Sequence, residues 1–294
     1  MKSSYARRYG IIRTLAPLHV GASAGEETGN LNLIFRDAYT RTGIIPGSSV
    51  RGRFRAELRS DEQTCNLWYG QASTKRGSEE GDAVILSEAR VKFEHASLVW
   101  IPVFSPGQPI VWVSSPRLLK RYAEVTGQID LLECIPAPFT CSEGVGRKDP
   151  NGESSRLFFN LGFMTLTPSP LLQRWRPSNV GEADLPSNRL VVVSDASIGS
   201  IHDMALYRQS RVRLQDTQKL VSKGGFFGFE AIPEGSLMVF PIGIRRGSSW
   251  DTNDWAPFGA DDTLNPHQEA ELYFGGLESV GCGRCEVKLS KEVM

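Results

Sequence analysis

Pro46 and Gly47 precede a run in which Val50, Phe54 and Leu58 recur every four residues, and this stretch constrains the fold more than any other. Proline and glycine stop any earlier element, and the spacing places the three apolar side chains on one buried helical stripe. Ser48 or Ser49 suits the N-cap, because a hydroxyl there accepts from the first free backbone amides. Arg51, Arg55 and Arg59 repeat at the same interval one position on, forming a second stripe at the edge of the packed face. From Arg36 to Arg59 the arginines are 36, 41, 51, 53, 55 and 59, against Asp37 and Glu57 alone. Free amides at a helix start with guanidinium groups just inside it make an anion site suited to phosphate. The same pattern also suits a solvated basic face with a routine cap.

That local excess matters because the whole chain carries none. Over 294 residues, 33 Lys and Arg balance 33 Asp and Glu, so any binding of a polyanion must come from local patches rather than a global field. A hydrophobic content of 40% is enough for a normal core. No run of about 18 apolar residues exists, and the first residues lead into a strand-like segment instead of a signal-peptide core. A cytoplasmic protein without membrane contact is therefore expected. Five cysteines, an odd number, point to thiols and not to a disulfide framework. Cys282 and Cys285 form a lone CxxC that would bind zinc only if the fold brought Cys134 and Cys141 to it; packed thiols are expected, and no metal site is assigned.

Along the chain, Tyr9 to Val20 reads as a first strand, and Ser60 to Glu80 as a polar surface insertion around a Trp68–Gly70 island. Ala83–Ala89, Ser97–Phe104 and Ile110–Val113 are strand-like. Ser114 or Ser115, Pro116 and Gly127 bracket a capped helix. Cys141 to Arg156 is a long Gly/Ser/charged loop, followed by strand character from Leu157 to Pro168. Arg189–Val193 is a short strand, Ser194–Gln209 is helix-like, and Arg211 and Arg213 project to one side of the next strand. Asn265 to Leu289 reads as a helix running into a turn with Gly275, Gly276, Gly281 and Gly283, then a last strand. Such glycines let backbone approach a phosphate, and they also simply turn. Trp68, Trp112 and Trp250 are core or interface residues.

LHVG at Leu18–Gly21, a polar loop, RD at Arg36–Asp37, a TG turn and IPGSSVRG at Ile45–Gly52 resemble the signature of the RAMP (repeat-associated mysterious protein) superfamily. The resemblance is specifically to backbone subunits of type III CRISPR effector complexes, which read approximately PLHVGSG, VDLPIQRE, TG and IPGSSLKGALR. The stretch SEARVKFEHASLVWIPVFSPGQPIVWVSSPRLLKRY, the GGFFGFEAIP segment and the glycine-rich C-terminal turn resemble further family blocks in the same order.

The resemblance implies an α+β fold: a ferredoxin-like (RRM-type) RAMP core spanning 1–294 as a single domain, with insertions at about 60–96 and 135–187. The second insertion would form a thumb-like β-hairpin. Phe158, Phe159, Phe163 and Met164, with Leu161, would wedge against bases or equally anchor the hairpin to the core. Implied partners are a CRISPR guide RNA, complementary target RNA, copies of the chain in a filament and other effector subunits. Arg51 would take the role of the motif's lysine on the guide backbone, with Gly21, Ser23, Ser48 and Ser49 as donors and Arg36, Arg53 and Arg55 in support. Gly275, Gly276 and Gly281 would let the turn approach the RNA.

The departure from the pattern lies in the cutting site. The family's acid stands six positions before the last acidic residue of its motif, and the same count back from Asp37 gives Leu31, flanked by Asn30 and Asn32. An asparagine brings no negative charge to a metal and takes no proton from a 2′-hydroxyl at neutral pH. Cleavage is therefore expected to be weak or lost, and binding to need no cofactor. Retained cleavage would require Mg2+ or Mn2+ and another acid, for which Glu26, Glu27 and Asp37 are candidates. His19 and Glu230 match other positions near the family's cutting site, and His19 alone would serve a metal-free acid/base route to precursor CRISPR RNA. A subunit of another class, whose basic helix contacts protein carboxylates, is the remaining alternative.

Overall fold

The computed structural model describes residues 4–22, 31–70, 88–160, 162–214, 221–248, 250–259, 268–291 and 293. Its first strand, β1 (Tyr5–Thr14), starts earlier than expected and stops short of Pro17, which has no amide to give a ladder. Beyond it Leu18 and His19 make only isolated bridges, to Ile232 and Gly276. A two-residue strand, β2 (Leu31–Asn32), precedes helix α1 (Gly47–Glu57). Val50 and Phe54 are buried on α1, and Leu58 just past its end packs on the same core. The cap differs from expectation: Pro46 holds the N-cap position without a side-chain bond, and Ser48 and Ser49 lie inside the first turn. Gly47 is there for space, since a Cβ would stand 2.6 Å from the Phe93 carbonyl oxygen.

Helix α2 (Glu62–Tyr69) replaces the first half of the expected surface insertion. Asp61 caps it by accepting from the Thr64 amide, and Cys65, Trp68 and Tyr69 are buried. Their three- and four-residue spacing is helical, but the polar residues around them masked it. The rest of that insertion, and most of the strand expected over Ala83–Ala89, lies outside the described residues. The next strands are β3 (Val91–Phe93), β4 (Ser97–Phe104) and β5 (Ile110–Ser114), followed by α3 (Pro116–Thr126). As the sequence predicts, α3 starts after Ser115 with Pro116 in its first turn and ends at Gly127, whose φ of 70° favours glycine.

The short helix α4 (Ile129–Leu132) leads to β6 (Thr140–Cys141), β7 (Arg147–Lys148), β8 (Ser155–Phe159), β9 (Gly162–Pro168) and β10 (Leu190–Val192). Helix α5 (Ile198–Ala205) ends sooner than expected, because Tyr207 already begins β11 (Tyr207–Leu214). Then come β12 (Val221–Ala231), β13 (Leu237–Arg245), β14 (Glu269–Tyr273) and β15 (Arg284–Leu289). β14 stands where a helix was expected. Leu272 and Phe274 are buried and Ala270 packs partly buried on the same core, an alternation of period two that seats the segment on β15.

Twelve strands form one mixed sheet in the order β14-β15-β1-β13-β4-β5-β10-β6-β9-β8-β7, with β3 added to β13. Both neighbours of β1 run antiparallel to it. The α+β class is as expected; the ferredoxin-like description of the core rests on resemblance. One core gathers Phe54 among the rings of Phe93, Phe240, Trp255 and Phe258, all within 6.0 Å. The other gathers Trp100, Leu119, Tyr122 and Trp175, with Trp100 donating to the Trp175 carbonyl. Trp68 lies in the first core, while Trp112 and Trp250 are half-buried, each with its indole N–H on a backbone carbonyl. Strands β11, β12 and β2 form a separate sheet, and the candidates His19, Arg36 and Glu230 meet beside it.

Candidate nucleic-acid interface

Strand β2 sets Leu31 opposite Gly228 and Asn32 opposite Phe229 on β12, so the motif loop lies beside Glu230. From the other side His19 donates through Nδ1 to the Glu230 carbonyl oxygen at 2.6 Å and meets the Phe229 ring edge-on at 5.8 Å. The His19 carbonyl in turn accepts from the Gly276 amide at 2.9 Å. Gly275 has φ of 78°, and a Cβ on it would stand 2.1 Å from the His19 oxygen, so only glycine fits this turn. Gly21 bridges to Ile34 next to the same histidine, with open space around Gly281. Residues scattered over the whole sequence thus converge on one place. Ser23, Glu26, Glu27 and Asn30 lie outside the described residues.

The Glu230 side chain is 3% exposed, and both of its oxygens are taken. Arg36 donates to Oε2 at 2.7 Å, and Arg208 donates to Oε1 through Nη2 at 3.0 Å and Nε at 3.2 Å. The other arm of Arg36 pairs with Asp203 of α5. His202 Nδ1 lies 3.6 Å from the Asp203 carboxylate, and together with the Arg36 guanidinium it holds that carboxylate at about 2, against the opposing effect of burial. His202 itself is fully buried, which pushes its pKa down, and its Nε2 accepts from the Gly43 amide at 3.0 Å. The sequence did not single out Arg208, His202 or Asp203. Arg208 faces Glu230 only once β11 and β12 are in register, and no local pattern shows that.

Asp37 is committed elsewhere. Its Oδ1 accepts from the Tyr39 and Thr40 amides at 3.0 and 2.7 Å and from the Thr40 hydroxyl at 3.0 Å, closing a turn. Burial pushes its carboxyl up, but the Thr40 and Tyr39 donors outweigh that and hold it below the usual range.

The arginines of α1 also have partners within the chain. Arg51 donates to the Tyr69 carbonyl, Arg55 to the Gly70 carbonyl and to Asn66 Oδ1, and Arg53 pairs with Glu57. Arg51 and Arg55 thereby clasp the C-terminal end of α2. Ser48 is exposed and Ser49 half-buried at the start of α1.

The four expected wedge residues divide into pairs. Phe158 and Phe163 are 46% and 59% exposed with ring centroids 6.0 Å apart, whereas Phe159 is buried and Met164 packs on the core beneath them. Leu161 lies outside the described residues. Cys282 and Cys285 are buried thiols, and burial pushes the Cys285 thiol up to about 12. Among the described residues no three His, Cys, Asp or Glu side chains come together as metal ligands. With both oxygens of Glu230 on arginines, the described part of the site does not fit a divalent cation.

The profile of the RAMP superfamily matches residues 11–286. The chain belongs to the RAMP superfamily. Solved structures share the RAMP fold over nearly its whole length. A chain of type III-B Cmr-beta in the apo state, seen by cryo-EM, matches with a TM-score of 0.68 at 18% identity, covering 98% of this chain and 99% of that one. A chain of the same Cmr-beta bound to cognate target RNA matches at 0.67 and 19%, covering 98% of each. Oligomeric Cmr4 from Pyrococcus furiosus matches at 0.63 and 19%, covering 98% of this chain and 100% of that one. Curated proteins gave no significant match by sequence. No helix among the described residues is long and apolar enough to cross a membrane.

Proposed function

We propose that this chain is a backbone subunit of a type III RNA-guided effector complex, acting in the cytoplasm, which holds guide RNA and positions complementary target RNA but cuts it weakly or not at all. RAMP membership and the likeness to Cmr-beta bound to target RNA and to oligomeric Cmr4 support the assembly: guide RNA, target RNA, further copies of the chain and other effector subunits as partners.

The observation that carries the loss of cutting is Leu31–Asn32 lying beside a Glu230 whose two oxygens are both held by guanidinium groups. A carboxylate that already accepts three guanidinium hydrogen bonds keeps at most one lone pair and faces two positive charges, which disfavours a metal ion there, and Leu31 and Asn32 bring no second carboxylate. What remains suits phosphate. Arg208 is half-exposed, and Arg211 lies over Phe229 with one arm on the Val280 carbonyl, beside the Gly275–Gly281 turn. Guide phosphates would take their donors from the Gly21–Ser23 turn, Ser48 and Ser49, with Arg51, Arg53, Arg55 and Arg36 supplying charge.

The deciding experiment is a cleavage assay of the assembled, guide-loaded complex with labelled complementary RNA, with Mg2+ or Mn2+ and with chelator. Tight binding with intact target supports the reading. Metal-dependent cuts at regular spacing would overturn its second half and direct attention to Glu26, Glu27 and Asp37. A purified protein without RNA and without affinity for it would favour a subunit that contacts only protein.

A further inference from the structure

Helix α3 turns Leu118, Leu119, Tyr122 and Ala123 inward and presents Arg117, Lys120 and Glu124 to solvent, with Arg121 half-buried beside them. Next to the first turn of this ridge stands Tyr39, 80% exposed, with the Arg117 guanidinium 5.3 Å from its ring centre. Both anchors are held in place. Asp37 Oδ1 accepts from the Tyr39 and Thr40 amides, and Asp195 Oδ1 accepts from the Arg117 amide at 3.0 Å.

A projecting Tyr and Arg on fixed backbone lose little freedom when covered, and these two residue types carry much of the energy of protein interfaces. The charges are also incompletely met. Among the described residues the Arg117 guanidinium meets no carboxylate, and Lys120 reaches Glu124 only at 3.9 Å. Two hollows border Arg117 and Arg121, one of about 580 Å³ with Pro116 and Ile135 in its walls and one of about 220 Å³ with Ile44 and Leu118. Each offers apolar surface to a side chain from outside.

The signs on this surface say which partner fits. Arg117, Lys120 and Arg121 are interspersed with Glu94, Glu124 and Asp195, and Arg121 already pairs with Glu94 at 2.7 Å. A nucleic-acid backbone, negative at every nucleotide, would run against these carboxylates. A protein segment can instead set one carboxylate between Arg117 and Lys120 and an apolar side chain in a hollow, the mixed pattern of protein interfaces.

We infer that the α3 ridge with Tyr39 docks a different protein chain, through a segment that carries an Asp or Glu for Arg117 and Lys120 and an apolar side chain for the adjoining hollow. The face uses neither α1 nor the β7–β9 hairpin. It rests on the assembly proposed above, and the experiment separates the two.

The photo-cross-linking residue p-benzoylphenylalanine replaces Tyr39 in the full chain, the assembly is isolated from its own cells and irradiated, and the adducts are mapped by mass spectrometry. The expected adduct joins position 39 to another protein, at a peptide bearing Asp or Glu. Arg117→Glu with Lys120→Glu should lower its yield on the order of tenfold, and Arg117→Lys should keep most of it. Circular dichroism checks folding, and Lys120→Glu alone carries the test if the double variant does not fold. An intact assembly with no adduct, or an adduct indifferent to both charge reversals, would overturn the docking face alone. An adduct to a second copy of this chain or to RNA would overturn it in favour of that partner. Failure to isolate any assembly would overturn the subunit reading and the face with it.

Discussion

Arg208 and Glu230 stand opposite one another on β11 and β12, and the Arg208 guanidinium closes on Glu230 Oε1 with two hydrogen bonds of 3.2 and 3.0 Å. Arg36 holds the other oxygen, so a buried carboxylate ties the β11–β12 hairpin to the motif loop and, through Asp203, to α5. Removing the shared carboxylate leaves Arg36, itself only 16% exposed, with Asp203 as its remaining carboxylate and takes away the hairpin's tie to it. Glu230→Ala should therefore destabilise the fold by about 3 kcal/mol, as read from urea unfolding midpoints. A change within a few tenths would mean that the pair is not formed in solution.

Under the non-cutting reading proposed above, the same pair should govern whether cutting can be restored. Leu31→Asp returns a carboxylate next to β12, but Glu230 stays engaged by Arg36 and Arg208. Leu31→Asp alone should leave target RNA intact in the guide-loaded complex with Mn2+. Leu31→Asp with Arg208→Ala frees Oε1 beside the new acid and should give detectable metal-dependent cleavage. Equal cleavage by the single and double variants would show that Arg208 does not restrain the site.

Much of this arrangement was legible in the sequence, and the gaps have physical causes. The α1 stripe, the caps of α3, and the strands Ser97–Phe104 and Ile110–Val113 follow from short-range spacing, and the structure shows them, the last extended by one residue to Ser114. His19, Glu230, Gly275 and Gly276 could be named through family resemblance, and they do meet. Helix α2 is hidden because its three buried residues sit in a polar window, and β14 because EAELYF carries the helix formers Glu, Ala and Leu and alternates over only six residues. Arg208, Asp203 and His202 belong to the site only through strand register and the docking of α5, which are long-range facts. The charge of α1 was visible, but its use was not: carbonyls at the end of α2, distant from any motif, accept from Arg51 and Arg55.

Those two arginines give a prediction that separates binding from structure. If Arg51 and Arg55 also carry guide phosphates, Arg51→Gln with Arg55→Gln should flatten the log–log salt slope of RNA binding by about 1.4, two single-strand phosphate contacts. The same variant should unfold at a lower temperature, since it loses the bonds to Tyr69, Gly70 and Asn66. Lower stability with an unchanged slope would confine both residues to holding α2.

His202 sets an acid limit on the fold. It is fully buried, with Nε2 accepting from the Gly43 amide, and burial pushes its pKa below its ordinary value. As pH falls below about 6.5 the unfolded chain therefore takes up a proton that the folded chain does not, and stability drops by up to about 1.4 kcal/mol per pH unit until the folded pKa is reached. Asp203 acts lower: with its carboxylate held at about 2, its contribution is complete above its unfolded value near 4 and is lost as pH falls toward 2. His202→Gln keeps an acceptor toward Gly43 but does not titrate. Urea midpoints for wild type should fall between about pH 6.5 and 5, and those of His202→Gln should stay nearly level over that window. Equal slopes in both proteins would mean that another group sets the acid limit.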